Sequence, residues 1–167
     1  MMKTLIAYSS KTGNTKKVAE AIHATTGGDF VDIIANPDVD LDAYEQVIFG
    51  FWVDKGGPDE QANAFFETVR NKRVGIFFTL GAWPESDHAN DVEQVITEMA
   101  EDNGNTVVTT FRCMGKIDPE LTKMFERMGD HSPHRMDEER RRRHEEAAKH
   151  PDETDLQNAQ KAFKCMA

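Results

Sequence analysis

The chain has 167 residues, enough for one domain with a well-buried core. Its formal net charge of −10 repels a phosphate backbone and argues against a nucleic-acid partner. Two cysteines, no apolar stretch of membrane-spanning length and too short an apolar run after Lys3 for a signal peptide point to a reduced cytoplasmic protein with no membrane segment.

The charge is uneven along the chain. Residues 131–167 hold eight Lys/Arg and eight Asp/Glu, so the whole imbalance falls on residues 1–130. Clear apolar runs lie within residues 1–112, and the last third is mostly polar. The expected organisation is therefore a compact domain over residues 1–130 and a charged helical C-terminal extension over residues 131–167.

Residues 4–8 (TLIAY) form a first strand that ends in a Ser-rich turn. Residues 14 to about 24 carry Val18, Ala19 and Ile22 on one helical face, and Gly27-Gly28 stops the helix. Residues 30–34 read as a second strand and residues 46–52 (QVIFGFW) as a third. Gly56-Gly57-Pro58 reads as a turn into a helix, with Pro58 near its first position. Residues 73–80 (RVGIFFTL) are a fourth strand. Residues 88 to about 102 are helical, with Val92, Val95, Ile96 and Met99 at helical spacing. Residues 106–113 are a fifth strand, and a helix starting near Pro119 carries Leu121, Met124, Phe125 and Met128. Beyond Gly129, residues 137–149 (DEERRRRHEEAAK) are a highly charged helix candidate with Asp137 as its cap. Leu156, Ala159 and Phe163 mark a weaker helical stripe.

Strands thus alternate with helices, and several strands are apolar on both faces. That pattern predicts a doubly wound α/β fold with a five-stranded parallel sheet and helices on both faces. Ligands of such sheets bind beyond the strand C-termini, where strand order reverses. The loops after strands one, three and four are therefore the candidate site.

The first of these loops reads Ser9-Ser10-Lys11-Thr12-Gly13-Asn14-Thr15. Small hydroxyl residues donate hydrogen bonds and let backbone amides converge on one anion, and the helix behind them adds its positive dipole end. Gly13 permits the tight turn. The single glycine rules out a Walker loop and the three-glycine dinucleotide fingerprint. An ordinary capped helix needs one hydroxyl; four, with Asn and Gly, fit a phosphate monoester.

Ser10 to Thr15 matches the flavodoxin signature Ser/Thr-x-Thr-Gly-x-Thr at every position, and the order of elements resembles that family over residues 3 to about 128. The segments 51–57 (FWVDKGG) and 79–84 (TLGAWP), with the tail, resemble the flavodoxin-like proteins found with bacterial bilirubin reductase. The resemblance implies strand order 2-1-3-4-5 and FMN as cofactor. It also implies redox partner proteins, a reductase as donor and an acceptor enzyme such as a bilirubin reductase. Ser9 to Thr15 would hold the phosphate. The loops Trp52, Val53, Asp54, Gly56, Gly57 and Thr79, Leu80, Gly81, Trp83 would flank the flavin ring.

Trp52 and Trp83 are each candidates for stacking on the ring or for the core. Gly56-Gly57 is either a peptide that turns over toward the flavin or a simple turn. Asp54, Asp59, Glu60, Glu85 and Asp87 fall near these loops, where negative charge would disfavour reduction of the flavin; some of them serve helix N-termini. His131 and His134 lack a third ligand nearby, so no metal site is expected. Cys113 fits buried structure better than a nucleophile. Three functions are compatible with these residues: an FMN electron carrier, an FMN-dependent NAD(P)H:quinone-type reductase, and a non-redox module on the same fold. Short ring loops and the intact phosphate signature favour the carrier.

Overall fold

The computed structural model describes residues 2–129, 131–133 and 135–167; His134 lies outside the described residues. In chain order the elements are β1 (Thr4–Tyr8), α1 (Asn14–Thr26), β2 (Asp29–Asp32), β3 (Gln46–Asp54), β4 (Gly57–Pro58), α2 (Glu60–Phe66), β5 (Arg73–Leu80), α3 (Asp87–Asp102), β6 (Thr106–Met114), α4 (Pro119–Glu126), α5 (Glu138–Ala147) and α6 (Glu153–Phe163). The main sheet is parallel, in the order β2-β1-β3-β5-β6. This is the expected 2-1-3-4-5 order with one extra short strand. That strand, β4, pairs antiparallel with the end of β3, Val53 opposite Pro58 and Asp54 opposite Gly57.

The turn at residues 56–58 therefore differs from the expectation. Lys55 (φ 52°) and Gly56 (φ 83°) both sit at positive φ, the conformation of a tight two-residue hairpin. Pro58 lies in β4, and Asp59 rather than Pro58 opens α2, its carboxylate accepting from the Ala62 amide.

Side chains alternate across the strands, so the sheet has two cores. Leu5, Ala7, Val47, Phe49, Phe51, Ile76 and Phe78 pack under α2 and α3. Phe49 stacks on Phe66 with ring centroids 4.5 Å apart. The inward positions of α3 are Ala89, Val92, Ile96 and Ala100; Val95, expected on that face, is 49% exposed. Ile6, Tyr8, Ile48 and Phe77 face the other way, toward α1 and α6.

The C-terminal segment packs in part against the sheet. Residues 131–167 do not all lie outside the sheet's layers. Helix α6 covers the sheet beside α1, and Ala159 and Phe163 are fully buried. Phe163 meets Phe77 edge-on at 6.0 Å. Gly75 makes the room: a Cβ there would stand 2.5 Å from the Phe163 ring and 2.6 Å from the Met166 sulfur. Thr109 Oγ1 donates to the Ala162 carbonyl at 2.9 Å and Gln46 Nε2 to the Met166 carbonyl at 2.9 Å. The packing therefore does not divide at residue 130. Only four apolar positions in α6 mark this, two of them alanines, too few to distinguish a core helix from a surface one by sequence. Truncating Phe163 to Ala should cost about 3–5 kcal/mol, read from the urea midpoint, because the glycine below it leaves nothing to fill the space.

Helix α5 connects to α6 through His150. Its ring contacts Asp155 Oδ2 at 2.5 Å and Glu146 Oε1 at 3.0 Å, and its carbonyl accepts the Lys116 amide at 3.0 Å. Burial alone would lower the His150 pKa, but the bonds to Asp155 and Glu146 outweigh it and the net shift is upward. The raised value means that the charged ring stabilises the fold fully below its ordinary pKa of 6.5, and that this contribution is lost as pH rises through the folded-state pKa. Between about pH 6 and about pH 9, wild type should lose more stability than His150→Gln in parallel urea titrations.

Candidate functional site

A cleft of about 830 Å³ opens at the C-terminal ends of the parallel strands. The loop after β1 forms one end of it. Gly13, at the N-cap of α1, has φ 98°, a left-handed conformation that a residue with a side chain resists. Gly13 has no side chain to cap the helix, and the Asn14 and Thr15 amides in its first turn have no intrahelical acceptor. Ser10 Oγ accepts from the Gly13 and Lys16 amides at 3.2 and 3.3 Å and holds the loop's curvature. Thr15 is buried, its hydroxyl 2.9 Å from that of Thr79, which ties the loop to the end of β5.

Asn14 closes the loop against the next one. Its Nδ2 donates to the Lys116 carbonyl at 2.9 Å and to Thr12 Oγ1 at 3.3 Å. Gly115 allows that approach, because a Cβ at 115 would lie 2.8 Å from Asn14 Nδ2. Beneath the loop, Ser9 is fully buried and donates to Asp59 Oδ2 at 2.7 Å. Asp59 Oδ1 is buried without a partner, and burial raises the pKa of this carboxyl in spite of the Ser9 and Ala62 hydrogen bonds that lower it.

Of the residues expected to bind a ligand, Ser10, Lys11, Thr12, Asn14 and Thr15 line the cleft at one end. Trp52, Val53 and Asp54 line it from β3, and Thr79, Leu80 and Gly81 from β5. Ser9 and Gly13 support the loop from behind. Gly56 and Gly57 belong to the β3–β4 hairpin and do not line the cleft. Trp52 does face it, with Lys11 Nζ 5.7 Å from its ring centroid and 3.9 Å from Asp118 Oδ2. Trp83 is directed elsewhere: its indole Nε1 donates to Glu139 Oε1 of α5 at 3.3 Å.

The electrostatics also differ from the expectation. Of the five acids placed near the ring loops, only Asp54 lines the cleft, and Asp59 is buried in its capping role. Lys11, Lys55, Lys116, Arg140 and Arg143 line it against Asp54 and Asp118, so the described cleft is basic in a chain of net charge −10. The loop after β6 and the helices α4 and α5 supply most of what the sequence reading missed. His144 of α5 is hydrogen-bonded to Thr122 Oγ1 at 2.9 Å. Burial first, and then the Arg143 and Arg140 charges, lower the His144 pKa and hold the ring neutral at pH 7. Cys113 and Cys165 are unpaired, and burial pushes the Cys113 thiol up, away from nucleophilic use.

A helix N-terminus, a flat aromatic wall and a parallel-sheet switch point share one cleft. A flavodoxin-domain family model matches residues 5–164. The chain belongs to the flavodoxin family. It is 34% identical, over 99% of its length and 96% of the relative's, to the flavodoxin-like domain-containing protein BilS of Clostridioides difficile strain CD3. A flavodoxin from the domain Archaea superposes with a TM-score of 0.58 at 21% identity, covering 99% of this chain and 96% of that one. A flavoprotein from Lactobacillus acidophilus NCFM in complex with FMN superposes with a TM-score of 0.51 at 21% identity, over 67% of this chain and 93% of that one. The flavodoxin domain supports a flavin-binding redox function. Among the described residues no helix is long and apolar enough to cross a membrane.

The Asn14 contact gives a direct check on this cleft. Gly115→Ala must displace Asn14 and should weaken flavin retention about tenfold. Gly129→Ala, where an added methyl meets nothing within 4 Å, should leave it unchanged. Fluorescence titration of the apoprotein with flavin reads both.

Proposed function

We propose that the protein binds FMN in this cleft and carries electrons between a reductase and an acceptor enzyme. The observation that carries the reading is the N-terminus of α1, with the Asn14 and Thr15 amides free of intrahelical acceptors, beside Ser10, Thr12, Asn14 and Thr15 and in the same cleft as Trp52. A dianionic phosphate monoester suits such a helix end, since converging amides and the dipole both favour it. The donor set fits the group: hydroxyls and amides at one end, an indole wall and the Thr79–Gly81 backbone at the other. FMN would supply the redox chemistry; the chain positions it, and its charged groups tune its potential. The FMN in the Lactobacillus flavoprotein and the likeness to BilS support the choice of cofactor and role. The resemblance carried by residues 51–57 and 79–84 makes a bilirubin reductase the acceptor to try first.

A visible spectrum of the purified protein tests the first part. FMN rather than FAD should be released on denaturation, and Thr12→Leu with Thr15→Leu should abolish retention. Retention of flavin with that loop destroyed would overturn the assignment. Stopped-flow reduction of the acceptor by the reduced protein tests the second part. Rapid oxidation of NAD(P)H by the protein alone with a quinone would instead make it a reductase in its own right.

A further inference from the structure

Helix α5 has an inward stripe of unusual chemistry. Its i, i+3, i+4 and i+7 positions are Arg140, Arg143, His144 and Ala147, which are half-buried or buried, while Glu138, Glu139, Arg141, Arg142 and Glu145 are exposed. A helix laid on a protein normally turns its apolar residues inward. Here the stripe places two guanidiniums and an imidazole on the cleft wall. Partial burial of charge is costly, so charged residues seldom form the inward stripe of a helix. Arg143 has Glu139 at 3.9 Å, and its Nε is buried with no hydrogen-bond acceptor. Arg140 lies over the Phe125 ring at 4.9 Å. Phe125 and Leu121 of α4 add apolar surface to the same wall, and Lys116 adds a third cation. This end of the cleft is built by segments other than the phosphate loop and the ring loops.

We propose that the α4–α5 end of the cleft is a second ligand subsite, for a small molecule with an apolar body and a carboxylate or phosphate head, bound beside the cofactor. The inference rests on the flavin-binding reading only for what occupies the other end. Arg140 and Arg143 take the anionic head, since a guanidinium offers paired donors that match two oxygens. Phe125 and Leu121 take the apolar body. His144, kept neutral and oriented by Thr122, contributes a hydrogen bond without adding charge. The −10 charge of the whole chain makes this local sign reversal a selective one: anions are repelled generally and accepted at one place.

Isothermal titration calorimetry of the flavin-loaded protein tests the subsite with two probes, 2-naphthoate for the carboxylate head and 2-naphthyl phosphate for the phosphate head. At least one should bind saturably, and which one does so identifies the head group. Arg140→Gln with Arg143→Gln should weaken that binding tenfold or more and leave flavin affinity within twofold. The outward pair Arg141→Gln with Arg142→Gln should change neither, which separates a subsite from general attraction to cations. Binding of neither probe, or equal weakening by the outward pair, overturns the proposal. Parallel loss of flavin and probe in the inward variant also overturns it, because the arginines would then hold the cofactor. If wild type takes up no flavin, the same titrations on the flavin-free protein still read the subsite, so the two readings fail separately.

Discussion

The structure depends on Phe163 seated over Gly75 against Phe77. That contact covers the second face of the sheet, and without α6 the surface made by Ile6, Ile48 and Phe77 would have α1 as its only helical cover. It also imposes a path on the chain. After β6 the backbone emerges at the cleft, and α6 must run beside α1. The segment between, including α4 and α5, therefore passes along the cleft wall. A packing requirement on one face of the sheet thus places Arg140, Arg143 and His144 where a ligand can meet them.

Connections at the two ends of this path are polar. The Lys116 amide on the His150 carbonyl ties the loop after β6 to the entry of α6, and His150 bridges Glu146 and Asp155. Near the middle, Trp83 reaches Glu139 and Thr122 reaches His144. Helix α5 buries only His144 and Ala147. It is held by specific hydrogen bonds with little apolar area, whereas α6 is held by apolar burial. The charged cleft wall and the apolar cover of the sheet are therefore supplied by adjacent but distinct parts of the C-terminal segment.

The strands and the Ser/Thr-rich loop between β1 and α1 were legible in the sequence because their signals are local. The runs TLIAY, QVIFGFW and RVGIFFTL are apolar on both faces, as buried parallel strands must be, and the hydroxyl-rich loop follows the first of them directly. The role of α6 was not legible: its contacts with Gly75 and Phe77 span nearly ninety residues of chain, and its own apolar residues are only Leu156, Ala159, Ala162 and Phe163. The hairpin at Lys55-Gly56 was hidden by Pro58, which reads as a helix start but here follows a turn. The basic character of the cleft was hidden by averaging. Net charge is a sum over the whole surface, and five cations brought together from three loops and a helix leave no mark on it.

Trp83 has a further consequence as an optical probe. It and Trp52 are the only two tryptophans in the chain. One lies on the cleft wall under Lys11, and the other is anchored by its indole N–H to a carboxylate on α5. The two emitters thus sit in different environments and report on different bodies. With Trp52 replaced by Phe, the remaining emission comes from the ring that links the β5 loop to α5. Its wavelength and anisotropy then follow the seating of that helix in solution, independent of any added label.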